Sequence, residues 1–247
     1  MKHITVFAAL AALSVSAYSA PSISIGALYE YLEPGKSTLL KRVRNGGDST
    51  AFVKVSVNEI VYEGDAPPTE KPVQPVVHGK GHQANTLVAS PARLIVPAGG
   101  MQATRLLAMG ERDKERYFRV RFSPVMPEQG DDFGVSAEQA EQYKESLSAG
   151  FNILAGYGAV MVVRPAKVHY QTELQDGATT YTVHNKGNSI IVLDGFRDCK
   201  TVGSECATPT ISHVLPQRSR VFEKEAGHHY RFELVEGDRK RAVEFGK

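Results

Sequence analysis

The stretch GFNILAGYGAVMVVRP, Gly150 to Pro165, is apolar enough for a buried strand yet carries three glycines. Its first half alternates, and strand parity sets Phe151, Ile153, Ala155 and Tyr157 on one face. Its second half, Ala159 to Val163, is apolar on both faces, the pattern of a strand buried on two sides. Pro165 ends the strand and restrains Arg164 before it, so the pair Arg164-Pro165 reads as a hinge. Gly156 and Gly158 read as easing a bend at that passage. What covers the alternating face is the question the rest of the chain has to answer.

Working outward, the chain opens MKHITVFAALAALSVSAYSAPS, with a basic start, an apolar run and small residues at Ala17 and Ser19. That three-part pattern predicts a secretory leader over residues 1–19, too short in its apolar run to span a bilayer. Removing Lys2 with the leader leaves 28 basic against 27 acidic residues. So even a balance offers nothing to nucleic acid or to an anionic membrane surface. The two cysteines, Cys199 and Cys206, are separated by polar residues, and in an exported chain they read as a disulfide. Their spacing is too long for a redox CxxC, and there is no second pair for zinc.

Short, often alternating runs separated by EPGKS, NGGDS, PAGG, QDGA, NKGNS and EGD predict an all-β sandwich architecture. One segment, 135–148, has helical composition and reads as a mobile loop with a helical turn. Two long connections, Glu63 to Ser90 and Pro127 to Ser148, read as loops without strands of their own. An internal echo stands out: Val43-x-Asn45-x-Gly47-x-Ser49 before AFVKV, and Val183-x-Asn185-x-Gly187-x-Ser189 before IIVL. Asn and Gly supply turn chemistry and tolerate positive φ. The echo marks either two ordinary hairpins or two sandwiches of related topology.

Chemistry-bearing patterns are few. HGKGHQA, His78 to Ala84, formally fits a dinucleotide fingerprint but lacks the strand before and helix after that such a site needs. His78 and His82 lie on a glycine-rich loop that does not fix them on one face, and His228 and His229 point to opposite faces of a strand. No nucleophile elbow, HExxH or Ser-His-Asp order occurs, so the expectation is a protein that is not an enzyme, with no cofactor and no metal. Lys41 is different. Parity places it with Leu39 and Val43 on the inward face, while Arg42 and Arg44 face out. An inward lysine either snorkels to the rim or waits in a cleft for a carboxylate.

The segments SPARLIVPAGGMQATRLL, DKERYFRVRFSPVMP, GFNILAGYGAVMVVRP and NKGNSIIVLDGFRDCKTVGSEC resemble the PapD-like periplasmic chaperones of the chaperone–usher pathway. The resemblance is closest to their alternate branch, which serves common-pilus and class 5 fimbriae. It implies two immunoglobulin-like β-sandwiches in a boomerang arrangement, residues 20–164 and 165–247, and a periplasmic location. It implies that the last strand of the first domain is lent to a pilin that lacks a strand, with Phe151, Ile153, Ala155 and Tyr157 as donor residues. Partners would be pilin subunits, major and minor or tip, and an outer-membrane usher. Self-association of the free chain is also expected, because an open apolar edge invites pairing.

The better-known branch grips the pilin's terminal carboxylate with a first-strand Arg and a Lys on the donor strand. The matching positions here fall near Leu28 and at Val160, neither charged. The anchor expected instead is Lys41, with Arg105 and Arg164 behind it. Two rival readings are a structural pilin or adhesin, and a secreted hydrolase on a β scaffold. An interior donor strand and the two-domain echo disfavour the first, and the missing nucleophile–base pair the second.

Overall fold

The computed structural model describes residues 20–64, 66–73, 86–128, 130–148, 154–200 and 205–246. The leader expected over 1–19, His78, His82 and the donor residues Phe151 and Ile153 lie outside the described residues.

Strands dominate. In chain order they begin β1 (Ile23–Ser24), β2 (Tyr29–Leu32), β3 (Thr38–Asn45), β4 (Ala51–Val61), β5 (Thr69–Pro72) and β6 (Thr86–Ser90). Next come β7 (Arg93–Val96), β8 (Met101–Met109), β9 (Arg116–Pro124), α1 (Ala137–Ser148) and β10 (Tyr157–Val163). The rest are β11 (Thr172–Asp176), β12 (Thr180–Asn185), β13 (Ile191–Lys200), β14 (Thr210–Val214), β15 (Ser219–Glu223), β16 (His228–Glu236) and β17 (Arg239–Phe245).

Residues before Arg164 form two sheets, ordered β1-β3-β8-β6 and β2-β10-β9-β4-β5, with β7 also pairing β4. Inward residues of both, among them Val43, Leu87 and Leu106 on one side and Val53, Phe118, Phe122 and Met161 on the other, make one apolar core. Residues after Pro165 form the sheets β11-β12-β15 and β14-β13-β16-β17. Val183 and Phe222 there close on Ile191, Leu193, Phe232 and Phe245. The chain is therefore two β-sandwiches in series, each buried by its own period-2 pattern. The Cys199–Cys206 disulfide is formed. Within β13 the pairing slips between Leu193 and Phe196, and Gly195 takes φ +61° there, as a bulge requires.

The echo is resolved in favour of related sandwiches. Each copy carries the chain from one sheet to the opposite one, β3 to β4 and β12 to β13, so neither is a hairpin. Its chemistry differs from the expected positive φ, which neither asparagine nor Gly47 nor Gly187 adopts. Asn45 and Asn185 are fully buried. The Asn45 amide donates to Ser49 O at 2.7 Å and Val96 O at 3.1 Å, and that of Asn185 to Ser189 O and Val214 O, both at 2.9 Å. Each side-chain oxygen accepts the N–H of the glycine two residues on, at 3.0 Å in both. The glycines are required by close approach: a Cβ on Gly187 would sit 2.5 Å from His169 O, and one on Gly47 would overlap Ala20 O.

Several local expectations are corrected. The connection Glu63 to Ser90 contains β5 and β6, and Leu87 of β6 is core. The strands β14 and β17 carry too many polar outward residues to stand out in the sequence. Within segment 135–148, Ala137–Ser148 is a three-turn helix fastened down. Ser136 and Gln139 form a reciprocal capping box, N–H to side chain in both directions, at 2.9 and 3.2 Å. Tyr143 donates its hydroxyl to Thr50 O at 2.6 Å and packs edge-on against Phe52 at 4.9 Å. Leu147 is buried.

Candidate functional site

β10 begins at Tyr157, so Leu154–Gly156 belong to no strand, unlike the single long strand expected from Gly150. Its neighbour β9 runs antiparallel along all of Tyr157–Val163, but ends at Pro124, which has no N–H to extend the ladder. Its other neighbour, β2, runs parallel and covers only Val160–Val163. The last bond on that side is Val160 N–H to Leu28 O, 2.7 Å. Alternation then turns the backbone groups of Gly158 outward on a side with no partner strand. Gly156 and Gly158 keep ordinary φ and are not bend residues: a Cβ would lie 3.1 Å from Phe122 O at one and 3.1 Å from the Arg119 side chain at the other. Ala155 and Tyr157 are exposed, Tyr157 at 40%.

The two-sided burial of Ala159 to Val163 has a tertiary cause. Ala159, Met161 and Val163 point into the first core. Val160 and Val162 point the other way, against Ile60, Tyr117 and Tyr31, and against Ile190 and Leu215 of the second sandwich. At the end of β10, Arg164 is 4% exposed and held by several partners. It donates to Glu33 Oε1 at 3.0 Å and to Ser189 Oγ at 2.5 Å, lies 3.8 Å from Glu115 Oε2, and stacks over Tyr31. Ser189 donates in turn to Glu115, which also accepts from Tyr117 and from Ile190 N–H. Burial pushes the Glu115 carboxyl upward against these donors. The Arg164-Pro165 junction is thus clamped by a buried polar network joining both sandwiches.

Lys41 lies where parity put it, 2% exposed, with Arg42 and Arg44 outward. It neither snorkels nor stands unpaired: Nζ meets Glu30 Oε1 at 2.5 Å and Ala27 O at 2.6 Å. Arg105 is exposed on the outer face of the sheet, opposite Leu40 in register. The three cations are therefore not gathered into one place.

Next to the start of β2, where Leu28 O takes the Val160 N–H, a cavity of about 610 Å³ opens between the sandwiches. Ala27, Leu28, Tyr29 and Tyr31 line it from the first, and Val192, Asp194, Ile211, His213, Val235 and Lys240 from the second. His213 stacks on Tyr29 at 3.9 Å, and its Nε2 shares a hydrogen with the Tyr31 hydroxyl at 2.9 Å. Burial lowers the His213 pKa below 6.5, and burial pushes Tyr31 up to about 12. Sequence reading missed Tyr29, Tyr31 and His213, because a lone histidine in a polar strand has no partner until the second sandwich is docked.

Among the described residues no cluster of three His, Cys, Asp or Glu could hold a metal. The Ser219–His184 contact, 2.6 Å, is exposed, and Glu173 beside it is taken by Lys186 and Gln175. Nothing there generates a nucleophile. No helix among the described residues is long and apolar enough to cross a membrane.

No protein-family profile matches the chain. It is 25% identical over 227 residues to the probable fimbrial chaperone EcpB of Klebsiella pneumoniae (strain 342), spanning 90% of this chain and 88% of that protein. The crystal structure of the class 5 fimbriae chaperone CfaA superposes with a TM-score of 0.55 at 20% identity, covering 92% of this chain and all of that one. The SafB chaperone, solved with the Salmonella enterica SafA pilin, gives a TM-score of 0.55 at 12% identity over 91% of this chain and 95% of the matched chain. In sequence over nine-tenths of its length, and in its two immunoglobulin-like sandwiches, the chain resembles the PapD-like pilus chaperones.

Proposed function

We propose that the chain is a periplasmic chaperone that binds pilus subunits by lending them a strand and passes them to an outer-membrane usher. The observation that carries this is the half-covered β10, whose first half keeps one edge open beside an exposed apolar side chain. An added strand would take the outward backbone groups, and Phe151, Ile153, Ala155 and Tyr157 would fill the partner's groove. Burying such side chains contributes on the order of 4–7 kcal/mol before ordering costs. Capture then needs no nucleotide and no covalent step. Similarity to EcpB and to a chaperone solved with its pilin supports the same reading.

In this reading Lys41 is the anchor for the subunit's terminal carboxylate. The incoming carboxylate takes the place of Glu30, since Ala27, which Lys41 touches, also borders the interdomain cavity. Arg105 lies on the outer face and Arg164 is buried and already paired with Glu33 and Ser189, which leaves them weaker anchors. The domains proposed are 20–164 and 165–247. The same open edge favours self-association of the free chain.

The test is periplasmic co-expression with the pilin that co-purifies with the wild-type chain. Ile153→Asp and Ala155→Asp should abolish recovery of that pilin while leaving the chaperone folded. Undiminished recovery with both variants would sink the strand-lending reading.

A further inference from the structure

The cavity between the sandwiches is built unlike a charge-binding site. Leu28 and Ile211 are 51% and 61% exposed, yet both line this one cavity, one from each sandwich. Val192 and Val235 extend the apolar lining. The Tyr29–His213 stack supplies a flat ring surface, locked by the Tyr31 hydroxyl. Large apolar side chains left this open on facing elements mark a surface that something covers.

The charges present do not fit an anion. Asp194 is in the lining with no ion pair among the described residues. Lys240 is already paired with Glu233 at 2.8 Å. A carboxylate held within this lining would lie beside Asp194, and the one lysine there already pairs with Glu233. An apolar side chain would meet mostly rings and aliphatic groups: Leu28, Tyr29, Val192, Ile211 and Val235.

Position names the occupant. Leu28 is both a wall of the cavity and the residue whose carbonyl takes the last β10 N–H, from Val160. A strand laid along the open half of β10 therefore ends its run against Leu28 and the cavity mouth. We infer that the cavity holds a bulky apolar side chain, aromatic or branched aliphatic, from the end of the pilin strand that adds to β10, and that it selects among pilins. This rests on the strand-lending reading above.

The experiment measures affinity for the pilin recovered with the wild-type chain, using Leu28→Asp, Ile211→Asp, Ile211→Leu and Ile153→Asp. Leu28 and Ile211 are exposed enough for the Asp variants to fold, which thermal melting checks. Leu28→Asp and Ile211→Asp are each expected to weaken binding at least tenfold, with Ile211→Leu within twofold of wild type. Binding within twofold for both Asp variants, while Ile153→Asp abolishes it, overturns the cavity and leaves strand lending standing. Loss in the Asp variants with Ile153→Asp unaffected sinks strand lending, and with it the assignment of the occupant to a strand added to β10. Sedimentation of the free chain tests the other occupant. If Leu28→Asp turns a dimer into a monomer with pilin affinity unchanged, a second copy fills the cavity and the inference fails.

Discussion

Arg164 donates to the hydroxyl of Ser189 at 2.5 Å, across the junction between the two sandwiches. That hydroxyl is also the donor to Glu115, so one serine serves a cation and an anion at once. Ser189→Ala removes both bonds and leaves buried groups short of a partner. The expected loss is on the order of 2 kcal/mol in urea unfolding. Arg164→Met should cost about 3–5 kcal/mol, because it strands the Glu115 carboxylate in a buried site. Equal, small losses for both variants would show that the network does not hold the junction.

Lys41 and Glu30 tie the inner face of one sheet to the edge strand of the other. Lys41→Met should destabilise by about 2–3 kcal/mol, less than a fully buried pair because the Glu30 side chain keeps 24% exposure. Adding Glu30→Gln should recover most of that stability. Pilin recovery is the separate readout. If the stable double variant captures pilin as well as wild type, Lys41 is a structural cation and not the carboxylate anchor.

Two kinds of glycine should respond differently to alanine. In Gly187→Ala the new methyl meets His169 O at 2.5 Å, and the backbone has to move. A loss on the order of 2–3 kcal/mol is expected, seen as a lower Tm. Gly195 has φ +61° but open space around it, so Gly195→Ala should cost only about 1 kcal/mol. A reversed order would mean that the echoed turns tolerate separation of their chains.

His213 makes the junction sensitive to acid. Burial holds its folded pKa below the ordinary 6.5, with Asp194 pulling the other way and Tyr29 and Tyr31 facing the ring. Its stabilisation is complete above pH 6.5 and declines as pH falls through the lower folded value, because the unfolded chain then binds the proton first. Urea midpoints of wild type and His213→Gln should therefore converge between pH 7.5 and pH 5. Parallel curves would exclude the ring as the titrating group.

Legibility in the sequence followed the range of the interaction. Lys41 was placed inward by parity alone, because Leu39 and Val43 share its strand. Its partner Glu30 was not, since the pairing needs both sheets. The capping box Ser136–Gln139 was present in the letters, but the anchoring of α1 depends on Tyr143 reaching Thr50, far back in the chain. The asparagine echo was visible as a pattern, whereas its reason, a buried amide bridging two chain segments, was not.

The division into two sandwiches was implied by the family resemblance; the sequence by itself determined an all-β sandwich architecture and, from Gly150 onward, a stretch with two different faces. Period-2 alternation and turn residues act between near neighbours, so composition and spacing carry them. Only the tertiary structure decided that β2 covers β10 from Val160 onward and leaves the earlier edge open, that Arg164 is consumed in a clamp, and that Leu28 and Ile211 face one cavity. Those facts depend on how two separately folded cores meet, and no local preference of the chain encodes that contact.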